Sequence, residues 1–142
     1  MTVNEILIEI VIGAAAGAAV IAPFVRLGKA SLRRFFAAAL FTAAIVYAAF
    51  ALAGILAGTA SNGWFWTELF GVALFAIPAY FGYRGRAWLL SLGWFLHLFW
   101  DTGLHGGPGT SFVPDFYPGF CVGFDLVFAA FIAYYFYFRE RV

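Results

Sequence analysis

Five apolar stretches, each close to the roughly 20 residues needed to cross a hydrocarbon core about 30 Å thick as a helix, decide what this chain can fold into. They run over about Glu5–Val25, Phe35–Gly58, Trp64–Gly82, Ala87–Leu104 and Gly119–Phe138, and most of the links between them are short. Hydrophobic residues make up 65% of the 142 positions and charged ones only 11%, outside the range of soluble domains. The reading is an all-α, polytopic membrane helix bundle: one transmembrane domain over residues 1–142 with five transmembrane helices and no separate soluble domain. The N-terminal tip has no Lys or Arg, and Glu5 and Glu9 sit where a signal peptide is basic or apolar, so the first segment is expected to be retained.

Positive charge sets the expected orientation. Arg26, Lys29, Arg33 and Arg34 fall between the first two stretches, Arg84 and Arg86 between the third and fourth, and Arg139 and Arg141 after the fifth. The alternate links have none. The basic side should be cytoplasmic, which places the N-terminus outside and the C-terminus inside. That pattern needs an odd number of spans. It predicts a multi-pass protein of the cell membrane, the bacterial inner membrane. The expected partner is the lipid bilayer, with a homo-oligomer as a further option and no protein partner identified. A net charge of +1 gives no basic surface for nucleic acid. A single cysteine, Cys121, excludes an intramolecular disulfide.

The ionisable residues are placed unevenly. Glu5, Glu9, Glu68, Asp101, Asp115, Asp125, His97 and His105 all lie toward the expected outer side, with Glu140 alone inside. In the fourth stretch His97, Asp101 and His105 stand at i, i+4 and i+8. Each such step turns a helical side chain only about 40°, so the three share one face. Cys121 and Asp125 repeat the spacing, as do Glu5 and Glu9. Ionisable side chains inside a bilayer need partners, and turning these faces inward lets carboxylates meet imidazoles.

Imidazole and carboxylate suit zinc or another divalent metal, and helical i, i+4 pairs can chelate one ion. His97, Asp101 and His105 are the candidate metal ligands. Glu9, Glu68 and Asp125 are candidates to complete the shell or to act as general base on bound water in a metal-dependent hydrolase acting on a lipid-like or apolar substrate. Two other readings stand beside this one. The same groups can relay protons or line a small transporter, or they can form an internal polar network in a structural or partner-binding protein. The link from His105 to Pro118 is apolar and aromatic, suited to a lid over the polar site or to an interfacial anchor. Gly13 with Gly17, Gly54 with Gly58, and Gly119 with Gly123 are small-xxx-small pairs that allow close helix approach.

Two segments carry a resemblance. Gly-Trp-x-x-His-x-x-Trp-Asp-x-x-x-His over Gly93–His105, and Phe-Val-Pro-x-Phe-Tyr-Pro-x-Phe-Cys-Val-Gly-Phe-Asp over Phe112–Asp125, resemble a family of small bacterial integral membrane proteins catalogued as a domain of unknown function. The resemblance lies mainly in the last third of the chain and implies several membrane spans without an activity. A looser likeness is to membrane-embedded metal hydrolases of the ceramidase and progestin-receptor type. Those have seven spans and different motif spacing, and no residue is carried over from them.

Overall fold

The computed structural model describes residues 3–105 and 112–138. The Gly106–Gly109 segment, which follows the fourth stretch in the sequence, lies outside the described residues, as do Arg139, Glu140 and Arg141. Five α-helices account for nearly all of the rest: α1 (Val3–Ile21), α2 (Lys29–Leu56), α3 (Asn62–Tyr83), α4 (Ala87–His105) and α5 (Tyr117–Ala133). A 3-10 turn, Ala22–Phe24, extends α1, and a π-helical turn, Tyr134–Phe138, extends α5. There is no strand among the described residues.

Four of the five helices, counting the turns that extend α1 and α5, are long and apolar enough to cross a membrane. The one not among them is α4, and the reason is its content: His97, Asp101 and His105 interrupt an otherwise apolar helix. The distribution of exposure is the reverse of a soluble protein's. Leu7, Val11, Trp66, Phe70 and Phe99 face outward, while Glu68, His97, Asp101, His105 and Asp125 are buried. Such a surface suits lipid, where apolar side chains face the solvent and polar groups must find partners inside.

The helices begin and end a few residues away from the apolar stretches. α2 starts at Lys29, not Phe35, so Arg33 and Arg34 lie in its first turns. Hydropathy marks the part of a helix that sits in hydrocarbon, whereas the backbone stays helical through the interface, where long basic side chains extend toward water. α3 runs through Pro78, whose ring packs against Gly93 of α4.

α4 is central. It packs on α3 and α5, and more lightly on α2. α2 pairs with α3, and α1 pairs chiefly with α5. Neighbouring residues fix the directions. Gly71 meets Trp100 and Gly82 meets Leu90, so α3 and α4 are antiparallel. Gly13 meets Phe120 and Gly17 meets Phe124, so α1 and α5 run parallel. The α1–α5 seam is made by absent side chains. A Cβ at Gly123 would strike the Ile10 carbonyl, and one at Gly13 the Phe120 carbonyl. Gly58 serves another purpose from the one its spacing suggests: its φ of +73° ends α2, and a Cβ there would meet nothing.

Candidate functional site

α4 places its three ionisable side chains on the face turned into the bundle, and all three are buried. Eight residues of helix separate His97 from His105, roughly 12 Å along the axis. They therefore meet different neighbours. His97 Nδ1 lies 2.9 Å from Asp125 Oδ2 on α5 and 3.3 Å from Asp101 Oδ2 one turn along its own helix. His105 Nε2 lies 3.0 Å from Glu68 Oε1 on α3. The structure thus joins Asp125, not His105, to His97 and Asp101, and forms a second imidazole–carboxylate pair from His105 and Glu68.

The walls of both pairs are aromatic. Phe75 stands edge-on to His97 with ring centroids 4.8 Å apart, and Trp94 lies on another side at 6.2 Å. Tyr47, about two-thirds of the way along α2, stacks on His105 at 4.4 Å and reaches to 6.2 Å from His97, so one ring neighbours both pairs. The Cys121 thiol lies beside the hydroxyls of Tyr47 and Tyr117. Trp100 donates its indole N–H to Glu68 Oε2 at 3.2 Å. It can do so because Gly71, one turn on from Glu68, leaves room for the indole against α3. Phe112 covers the end of the site nearer His105: its ring lies 5.8 Å from His105 and 5.3 Å from Trp64. Phe112 and Val113 are buried, so this end of the aromatic link folds onto the polar site.

His97, Asp101 and Asp125 can each offer one ligand atom, and the three atoms lie within 4.8 Å of one another. Tetrahedral bonds of about 2.0–2.1 Å place neighbouring ligand atoms roughly 3.3 Å apart. The separations of 2.9 and 3.3 Å around His97 Nδ1 are already near that value. Asp101 is 0% exposed, yet neither of its carboxylate oxygens has a hydrogen-bond donor of good geometry among the described residues. His97 Nε2 is likewise buried without a hydrogen-bond partner among them.

The other sequence candidate stands apart. Glu9 is half-buried on α1, and its carboxylate rests against Gly119 in the first turn of α5, where a helix N-terminus favours negative charge. Tyr47 was not legible as a site residue. Its signal in the sequence is a lone tyrosine midway along an apolar run, far from the belts where Tyr is usually found.

A family described as of unknown function (DUF6010) matches residues 7–140. The chain belongs to this family. The match covers nearly the whole DUF6010 chain, well beyond the last third in which the resemblance is first visible, and takes in all the residues of both buried pairs. No curated protein and no solved structure matches the chain. The chemistry of the site therefore rests on its own geometry.

A cleft reaches this geometry from the side. It has a volume of about 440 Å³ and lies between α2 and α5, with His97 and Asp125 among the residues lining it. Two of its lining rings on α5 pack against α2, Tyr117 on Tyr47 and Phe128 on Phe36.

Proposed function

We propose that this is a multi-pass membrane protein that holds a divalent metal ion at His97, Asp101 and Asp125. The ion would activate water against a lipid-like or apolar substrate. The observation that carries the reading is the buried Asp101 carboxylate, which has no donor of good hydrogen-bond geometry among the described residues and only the 3.3 Å approach of His97 Nδ1 beside it. Two carboxylates and one imidazole in an apolar interior leave net negative charge even with the imidazole protonated. A divalent ion with a neutral imidazole makes the group neutral, which is the cheaper state in low dielectric. Three protein ligands with a further position for water is the pattern of catalytic zinc sites, where bound water titrates near about pH 7. No Ser or Cys nucleophile is then required. His105 and Glu68 form a separate imidazole–carboxylate pair further along α4, with the Tyr47 ring between the two imidazoles.

A through-pathway for protons or solutes has less support. On α4 the next polar side chain beyond His97, toward the basic end, is Ser91, and its hydroxyl donates to the Ala129 carbonyl at 2.8 Å. On this helix no chain of polar side chains continues from His97 toward the basic end. The described basic residues, Arg26, Lys29, Arg33, Arg34, Arg84 and Arg86, gather at the end of the bundle opposite to the polar site, and we place that end on the cytoplasmic side of the cell membrane.

The test is elemental analysis of protein purified without chelator, with Asp101→Asn and Asp125→Asn beside the wild type. About one divalent ion per chain is expected in the wild type, with loss in both variants. Wild-type protein that takes up no ion from zinc, manganese or iron solutions, and whose melting temperature is indifferent to chelator, would refute the proposal.

A further inference from the structure

The cleft between α2 and α5 has three properties that together select a ligand, given the metal centre proposed above. Its walls are apolar and small on one side and aromatic on the other. Ala39 and Ala43 come from α2, and Phe120 and Phe124 from α5. It lies along helices apolar enough to span a bilayer, so the phase outside it is hydrocarbon. It extends along α5 from Tyr117 to Phe128, roughly 16 Å, about half of a hydrocarbon core of about 30 Å and so the depth of one leaflet.

The ionisable groups in its wall set the rest. A bare hydrocarbon chain against His97 and Asp125 would leave buried polar atoms facing methylene groups, which is unfavourable. The complementary ligand carries an oxygen-bearing group at that level. Asp125 stands eight residues into α5, roughly 12 Å from its first residue, and a charged headgroup drawn to that depth is costly. A neutral group such as an ester or a hydroxyl is not excluded in this way. The volume, about 440 Å³, is within the range of roughly 300–1,000 Å³ usual for ligand sites.

We propose that the cleft admits, laterally from the bilayer, a single-chain neutral lipid and brings its polar group against His97 and Asp125. The chain lies between Ala39 and Ala43 on one wall and Phe120 and Phe124 on the other.

The test uses the full chain in nanodiscs with two photoreactive lipids that share one diazirine-bearing chain, a monoacylglycerol and a phosphatidylcholine. The expected result is that the monoacylglycerol labels residues 38–46 and 120–128 and is displaced by unlabelled monoacylglycerol. The phosphatidylcholine should label the outward faces of the bundle without displacement. Ala43→Phe should lower the displaceable labelling severalfold while metal content stays as in the wild type. Thr42→Phe, a change at an exposed position on the same wall, serves if Ala43→Phe fails to fold. Equal labelling by both lipids, or labelling that unlabelled lipid does not displace, means boundary lipid only and overturns the inference. Metal analysis of the same samples separates the two proposals. Specific labelling without bound metal removes the metal centre and keeps the cleft, and bound metal with unspecific labelling does the reverse.

Discussion

Replacing Asp101 by Asn changes the charge of the side chain and hardly its shape, so it isolates what the carboxylate does. As a direct ligand it should matter more than the outer partners of metal sites, whose loss alone costs about 10–100-fold in affinity. Asp101→Asn is therefore expected to weaken zinc binding by at least about 100-fold in competition titration with a chromogenic chelator. In wild-type protein, metal at a free concentration about 100 times its dissociation constant should stabilise the fold by about 2.7 kcal/mol, read as a rise in melting temperature that the variant lacks. His105→Ala separates the two pairs. It should leave metal content unchanged, because His105 meets Glu68 and not the His97 group. It should cost stability, about 3–5 kcal/mol as for a buried pair that loses one partner, measured by denaturation in mixed detergent micelles. Loss of metal on His105→Ala would show that the two pairs form one site.

The same residues show what the sequence could and could not say. The one-face spacing of His97, Asp101 and His105 is a property of the helix alone, and all three are indeed buried together along one side. Their partners are a property of the crossing helices. Asp125 and Glu68 come from opposite neighbours of α4 at levels about 12 Å apart, and nothing local in the chain states which neighbour lies at which level. Two imidazoles on one face therefore read as one site, whereas the packing sorts them into two. Tyr47 was hidden for a similar reason: a tyrosine within a hydrophobic run becomes a site residue only through what stacks on it.

At the scale of helices, the apolar stretches located all five elements, and the largest difference lies at the start of α2, where Lys29, Arg33 and Arg34 are helical ahead of the apolar run. The glycine pairs divide more sharply. Gly13, Gly17 and Gly123 lie where backbones touch and Gly119 against the Glu9 side chain, while Gly58 is a helix stop, a distinction of backbone angle that spacing cannot carry. Gly123→Val should overpack the α1–α5 seam and destabilise by about 1–3 kcal/mol or more, since the struck atoms are backbone and have little room to yield. Limited proteolysis should then cut near the α1–α2 link sooner than in the wild type. Gly58→Ala should cost about 1–2 kcal/mol through its left-handed backbone alone, with the seam intact and no new cleavage.

At the scale of the whole molecule, parallel α1 and α5 and antiparallel α3 and α4 fit an odd number of crossings. The assignment of the basic end to the cytoplasm predicts the labelling of single-cysteine reporters in a Cys121→Ala background. A reporter at Gly28 should react with a membrane-impermeant maleimide only after the cells are opened, and one at Ser61 in intact cells. The reverse pattern would invert the topology and put the polar site on the cytoplasmic side.

The pairing of α1 with α5 also has a consequence for biogenesis. α1 finds its main partner in α5, three helices later in the chain, so Gly13 and Gly17 have no seam to close until Gly123 has been synthesised. Until then α1 stands in the bilayer as a separate rod, held by its link to α2. α2, α3 and α4 can assemble in order as each emerges, whereas the His97–Asp125 contact and the docking of α1 both wait for α5. Release of a chain truncated before α5 should therefore yield an inserted but unlatched protein, open to quality-control proteases at its amino-terminal helix.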